Sequence, residues 1–404
     1  MQITNKSRLI YLAAGSIALL FAGIIYAWSI LKAPFASDFG WTSSQLGLNY
    51  SLTISMFCIG SMISGMFANK YSPRIRTLLG AIMVCSGFVL VSRLSGESFL
   101  ALIMSYAVLA GLGIGIVYNT ITATTTAWFP DNKGLCSGVL FMAFGFSTLI
   151  IGKIAGNFIA LESFGWRNTY LTLGIVIGLV LLITALFLKL PPADAMFPAV
   201  KIKSKKPEAF GKMEITGFDV IKRPTFVKMF VFFILLCAVG SVSISFAKDI
   251  SLAVGAGESL AITIVGFLSI FNGLGRLLSG YSYDKYGMRF AQMLMSFVTI
   301  SASGITMFGI LAHSLPISIA GLCLCGLSYG FAPTMSASMI AGFYGNKNFA
   351  FNFGLINLQL IPASFSAALA GIALTRFESF TVIYIVLTVL SLVGLLINMS
   401  IKRP

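Results

Sequence analysis

Gly65-Met-Phe-Ala-Asn69-Lys70-Tyr71-Ser-Pro-Arg74 returns 215 residues later as Gly280-Tyr-Ser-Tyr-Asp284-Lys285-Tyr286-Gly-Met-Arg289. Gly111 and Gly115 recur as Gly326 and Gly330 at the same offset, and Asn132-Lys133 recurs as Asn346-Lys347 one residue closer. One match of this kind is weak. Three in register, each after the corresponding apolar run, predict two parallel copies of one structural unit.

What lies around the repeated stretches fixes the solvent. The 404 residues are 57% hydrophobic and only 10% charged, too little charge to cover a soluble protein of this size. Twelve apolar runs, at about 8–31, 45–68, 76–94, 98–121, 136–160, 168–188, 226–247, 260–283, 289–311, 315–340, 349–374 and 379–400, are each long enough to span a bilayer. The first lacks a small-residue cleavage site and reads as a retained helix. The expectation is an all-α membrane protein: an N-terminal six-helix bundle over 1–190, a basic linker over 191–223, and a C-terminal six-helix bundle over 224–404. Parallel repeats of this kind place the substrate between them near the midplane and work by rocking.

The net charge of +15 is topology, not nucleic-acid binding. Twenty of the 27 Lys and Arg residues fall in the even-numbered loops and the termini, and five in the odd loops. That bias puts both termini and the linker in the cytoplasm, in a cell (inner) membrane. The six cysteines all lie in or beside apolar runs and read as free, buried thiols, with no metal site and no cofactor.

Phe271-Asn272-Gly273-Leu274-Gly275-Arg276 carries the chemistry. Arg276 lies eight residues before Asp284, where the apolar run ends. At ~1.5 Å per residue that is about 12 Å deep, near the middle of a core ~30 Å thick. A charge there costs at least ~2.5–3.5 kcal/mol on insertion scales. Three roles fit it: snorkelling to the headgroups, a structural hydrogen-bond hub, or an anion site in a water-filled path. The depth exceeds what the side chain can snorkel and favours the last.

The two copies of Gly-x-x-x-Asp-Lys-x-Gly-x-Arg resemble the signature of the major facilitator superfamily. The first has Asn69 in place of the acid, which removes a negative partner for Lys70 and Arg74; the second keeps Asp284 beside Lys285 and Arg289. A narrower likeness is to the oxalate–formate exchanger and monocarboxylate transporter group. It rests on Ile25-Tyr26-Ala27-Trp28-Ser29, Gly113-Ile-Gly-Ile-Val-Tyr118-Asn119 and Trp128-Phe-Pro-Asp131-Asn-Lys133-Gly134-Leu. It continues with Ala247-Lys248-Asp249-Ile250, Asn272-Gly-Leu-Gly-Arg276, Leu327-Ser-Tyr329-Gly-Phe-Ala-Pro333 and Lys347-Asn348-Phe349.

That resemblance implies that predicted helices 1, 4, 8 and 10 line the path. Residue by residue it transfers to Tyr26, Tyr118, Arg276 and Tyr329 as substrate-binding candidates, with Asn119 and Asn272 as weaker additions. Arg offers a fixed positive fork and Tyr a neutral O–H donor, which together suit a small carboxylate. Asn272 precedes Arg276 by four residues and so shares its helix face, where it can orient the guanidinium. Each Tyr also fits plain packing, and the recurring glycines fit close helix contact. Lys248 and Asp249 read as a gate ion pair, a proton site or a solvated pair. Lys70, Arg74, Asp284, Lys285 and Arg289 read as gating residues. Lys153 reads as snorkelling, and His313 has no proton-relay role.

Two departures narrow the substrate. Dianion carriers of the group are expected to present a second cation from helix 11. Asn348–Leu374 has no Lys or Arg, and Ile356 stands at the aligned place. Proton-coupled relatives place an acid four residues before the helix-8 Arg and a Lys in helix 1. Here those places hold Asn272 and Ile30, with Lys32 out of register. The expectation is a secondary transporter of monocarboxylates such as formate, lactate or pyruvate, as exchanger or symporter, with protons or a counter-anion as companions and a monomer as the working unit. An oxalate/dicarboxylate–formate antiporter is the alternative within the group. A drug or cation efflux carrier is the alternative within the fold, disfavoured because no Asp or Glu falls inside a predicted helix. No nucleophile–base pair, metal cluster or phosphate loop points to an enzyme.

The charge bias generates a test: a single cysteine placed near Lys203 should react with an impermeant maleimide only from the cytoplasmic side. Labelling from outside in intact cells overturns the orientation.

Overall fold

Local chemistry, rather than the edge of an apolar run, sets several helix ends in the computed structural model. Residues 5–96, 98–192 and 217–402 are described, so most of the basic linker, including Lys201, Lys203 and Lys205, lies outside the described residues. Among the described residues twelve helices are long and apolar enough to cross a bilayer. They are α1 (Ser7–Ala27), α2 (Gln45–Met66), α3 (Pro73–Val91), α4 (Phe99–Thr126), α5 (Lys133–Ala160) and α6 (Gly165–Phe187), then α7 (Pro224–Ala253), α8 (Thr263–Tyr286), α9 (Met288–Leu311), α10 (Leu315–Tyr344), α11 (Phe349–Leu374) and α12 (Phe380–Ser400).

Upstream of α2, a capping box satisfies orphan N–H groups: Thr42 Oγ1 accepts from the Gln45 N–H at 3.2 Å, and the Gln45 side chain accepts from the Thr42 N–H at 2.9 Å. The end of α7 is set by Gly255, whose φ of +93 a side chain would strain.

Several helices outrun their apolar stretches. α4 continues through the Thr-rich end of its run, where threonine hydroxyls find their partners on carbonyls of their own helix. Thr120 donates to the Ile116 carbonyl and Thr126 to that of Thr122, both at 2.7 Å. α7 runs six residues past the expected end, and α8 closes at Tyr286. Asp249 and Asp284 therefore lie within helices, near their ends, and the expectation that no acid does is corrected: helical hydrogen bonding carries the chain on into more polar surroundings.

Four helices also depart from regular winding. α1 tightens to a 3-10 helix over Gly23–Ala27. α4 and α5 loosen to π-helix over Ile103–Ala110 and Thr148–Gly152. α11 is interrupted between Asn357 and Leu360. Such changes of winding gather at working regions of membrane helices.

The chain divides into two compact units. One comprises Met1–Cys136, Ala143–Ala209 and Asn346–Leu358; the other comprises Ser137–Met142, Phe210–Gly345 and Gln359–Pro404. The expected division at the linker is thus crossed by two short pieces, one from α5 and one from α11. Glycines explain both exchanges. A methyl at Gly138 of α5 would lie 2.8 Å from the Arg276 carbonyl oxygen of α8, and one at Gly354 of α11 would lie 2.8 Å from the Ser61 carbonyl oxygen of α2. Neither piece could seat so closely with a side chain there.

The same crossing is built twice, once in each unit. In the first, Gly60 meets the Leu112 carbonyl, Gly111 that of Thr53, and Gly115 that of Phe57. In the second, Gly275 meets the Leu327 carbonyl, Gly326 that of Leu268, and Gly330 that of Asn272. Every residue of the second set is 215 beyond its counterpart. The repeat read in the sequence is therefore a repeat of backbone contacts, α2 on α4 and α8 on α10.

A methyl at Gly60 or Gly275 would stand 2.3 or 2.2 Å from a backbone oxygen that cannot rotate away. Gly60→Ala and Gly275→Ala should each destabilise by about 1–3 kcal/mol, the usual cost of overpacking. Gly266→Ala, with nothing within 4 Å, should leave the thermal midpoint in detergent unchanged or slightly raised. Equal midpoints for all three would remove the crossing from its place in the fold.

Candidate functional site

Arg276 is 2% exposed, on α8 at the crossing with α10. Its Nε donates to Asn272 Oδ1 at 3.2 Å, the i−4 neighbour expected from spacing. Its Nη1 donates to the carbonyl oxygen of Phe141 on α5. Tyr329 belongs to the same unit: its side chain packs on Gly240 of α7, and the adjacent Gly330 seats its backbone against α8 between Asn272 and Arg276. Pro333, one turn further along α10, has no N–H to return to the Tyr329 carbonyl, so the helix is locally softened beside the site.

Tyr26 and Tyr118 fall in the other unit, around one ring. Phe144 of α5 meets Tyr26 edge-on at 5.4 Å and Tyr118 at 5.0 Å between ring centroids. Phe57 at 5.1 Å and Phe353 at 5.9 Å also stand around Tyr118. Tyr26 is half-buried and sits on the 3-10 turn of α1; Tyr118 is 5% exposed.

Asn119 is fully buried and ties three helices together. Its Nδ2 donates to Ser61 Oγ of α2 at 3.2 Å and to the Ala350 carbonyl of α11 at 2.9 Å. Asn357 of α11 donates to the same Ser61 oxygen at 3.2 Å. Ser61 stands 215 residues before Arg276, in matching surroundings: Gly115 crowds its N–H as Gly330 crowds that of Arg276, and Gly354 its carbonyl as Gly138 does. One crossing holds a guanidinium, the other a hydroxyl shared by two amides.

The repeated motif divides its labour unevenly. Lys70 and Arg74 are exposed, with the Lys70 ammonium 5.4 Å from the Tyr71 ring. The buried cation here is Arg76, two residues on. It donates to the Tyr71 carbonyl at 3.2 Å and to the Ser64 carbonyl at 3.1 Å, closing the C-terminal end of α2. In the second copy Arg289 does this for α12, reaching the carbonyls of Asn398 and Met399 at 3.1 and 3.3 Å. Lys285 lies over the rings of Tyr281 and Tyr286, and Asp284 is half-buried. Lys248 is half-buried and Asp249 exposed, one turn before the end of α7. Lys153 is exposed on α5, directly after its π-helical stretch.

Sequence reasoning missed several of these groups. The Phe141 partner is a backbone carbonyl, which carries no residue signature. Ser61 was reachable by subtracting 215 from Arg276. The Arg8–Asp131 ion pair, in which Arg8 also donates to the Trp128 carbonyl at 2.8 Å, joins the start of α1 to the end of α4. The acid of the Trp128–Asp131 stretch was its only sequence cue.

Comparisons with known proteins agree with this architecture. The chain is 25% identical over 349 residues to the MFS-type transporter YhjX of Escherichia coli (strain K12), covering 85% of this chain and 83% of that one. It is 24% identical to the oxalate:formate antiporter of Oxalobacter formigenes over 82% of this chain and 77% of that one. The crystal structure of the proton:xylose symporter XylE bound to 6-bromo-6-deoxy-D-glucose is similar in fold, with a TM-score of 0.77 at 13% identity, over 99% of this chain and 97% of that one. The sequence profile of the Major Facilitator Superfamily matches residues 13–360. Twelve spanning helices, a twice-built glycine crossing and a profile match over most of its length make this chain a member of the Major Facilitator Superfamily, a multi-pass membrane transporter and not an enzyme.

Proposed function

We propose that this transporter carries small monocarboxylates, of the size of formate, lactate or pyruvate, by alternating access, with both termini in the cytoplasm. The observation that carries the reading is Arg276: a guanidinium 2% exposed, bonded through Nε and Nη1 to neutral oxygens. A carboxylate supplies the negative charge and accepts two parallel N–H bonds, each charge-assisted and stronger than the neutral ones. Tyr26, Tyr118 and Tyr329 are the hydroxyl donors we assign to the same ligand, with Asn272 setting the guanidinium. Asn119 is not among them, since its Nδ2 ties α4 to α2 and α11.

The charge count sets the substrate class. α11 carries no Lys or Arg from Asn348 to Leu374, and Ile356, at the place aligned with a second cation, is fully buried. One buried positive charge is best balanced by one negative charge. The oxalate:formate antiporter among the relatives supports the carboxylate class and keeps a dicarboxylate exchanger as the second reading.

Competition for labelled formate uptake in proteoliposomes at fixed pH separates the two. Lactate and pyruvate should outcompete oxalate. Oxalate winning by tenfold, about 1.4 kcal/mol, overturns the single-charge argument and turns attention to Lys153. Arg276→Lys keeps the charge but loses the planar fork, so uptake should fall at least tenfold with the protein still folded. Unchanged uptake would remove Arg276 from the binding site.

A further inference from the structure

The end of α12 gathers cations from two neighbouring helices and from its own tail. Lys228 of α7 donates through Nζ to the Ser400 carbonyl at 3.3 Å. Arg289, at the start of α9, donates to the Asn398 and Met399 carbonyls at 3.1 and 3.3 Å. Lys402 lies just past α12, and Thr225 of α7 donates to its carbonyl at 3.3 Å. All three cationic residues are exposed. Capping a helix C-terminus explains cations at such a place. Lys228 and Arg289 nonetheless carry more N–H donors than these three bonds use. Among the described residues no carboxylate pairs with Lys228, Arg289 or Lys402.

The sides of the same helices are apolar and open. Val227 beside Lys228, Phe290 beside Arg289, and Leu396 and Met399 of α12 are all exposed. Cations at a helix end above an exposed apolar wall match the layout of a phospholipid, a phosphate over hydrocarbon chains. Orientation alone does not explain the cluster. The bias that draws Lys and Arg to the even-numbered loops acts on both repeats. Yet the places 215 residues earlier hold Ala13, Arg74 and Phe187, one cation where the second repeat has three. We propose that the end of α12 binds an anionic phospholipid, its phosphate among Lys228, Arg289 and Lys402 and its chains along α7, α9 and α12. Bound there, one phosphate ties the starts of α7 and α9 to the end of α12. The site works whatever substrate is carried.

The full chain in neutral detergent is titrated with phosphatidylglycerol or with phosphatidylcholine of the same acyl chains, and bound lipid is read by native mass spectrometry. The first phosphatidylglycerol should bind about tenfold tighter than phosphatidylcholine, from the attraction of basic side chains for an anionic headgroup. Lys228→Gln with Lys402→Gln leaves Arg289 to cap α12 and should remove most of that preference. Lys70→Gln with Lys189→Gln takes the same two charges from exposed residues of the other unit and should leave the preference intact. Equal affinity for the two lipids in the native chain overturns the proposal. So does a preference that survives Lys228→Gln with Lys402→Gln. An equal loss in both double variants reduces the effect to net charge and also overturns the site. If the first double variant fails to fold, Lys402→Gln alone decides: its bond to Thr225 runs through the backbone, so the fold is kept, and phosphatidylglycerol should still bind severalfold more weakly. Unchanged affinity there removes the site.

Discussion

A guanidinium buried among membrane-spanning helices is the constraint on which the rest of the second unit turns. Two neutral oxygens accept from Arg276, an amide one turn back and a helix carbonyl on α5. Both are weaker partners than a carboxylate. Glycines at 138 and 330 let two helices come close enough for backbone to stand in for water. Replacing those glycines would leave the charge unsupported as well as the helices apart.

The other unit repeats the geometry without the charge. Ser61 occupies the place of Arg276, and two asparagines from different helices share its oxygen. Two crossings with matching backbones thus carry different side-chain chemistry, one a buried guanidinium and the other a neutral hydroxyl.

Much of this was legible before any coordinates. The offset of 215 predicted two copies of one unit, and the glycines recurring at it fitted close helix contact, because close approach needs glycine and glycine is visible as a letter. Arg276 announced itself because its cost in a membrane is large. Asn272 followed from the family resemblance, and helical spacing put it on the face of Arg276. The exchange of short pieces between the units was not legible, since it depends on where two helices cross rather than on their composition. Nor was the choice of Arg76 over Arg74 as the buried cation, which depends on how α3 is rotated at its first turn. Asn119 was placed at the site by its neighbour Tyr118, yet one residue along a helix is a turn of about 100°, enough to point it at α2 instead.

The tight stretch of α1 has a consequence for how that helix is read. A 3-10 helix advances about 120° and 2.0 Å per residue, against about 100° and 1.5 Å for an α-helix. Over the five residues Gly23–Ala27 the difference accumulates to roughly 100° of phase and about 2.5 Å of length. That phase is what one extra residue would add. A helical wheel carried through Tyr26 in α-helical steps therefore assigns everything beyond Ala27 to the wrong face by one position. α1 has to be drawn as two wheels, with the ring of Tyr26 at the seam between them.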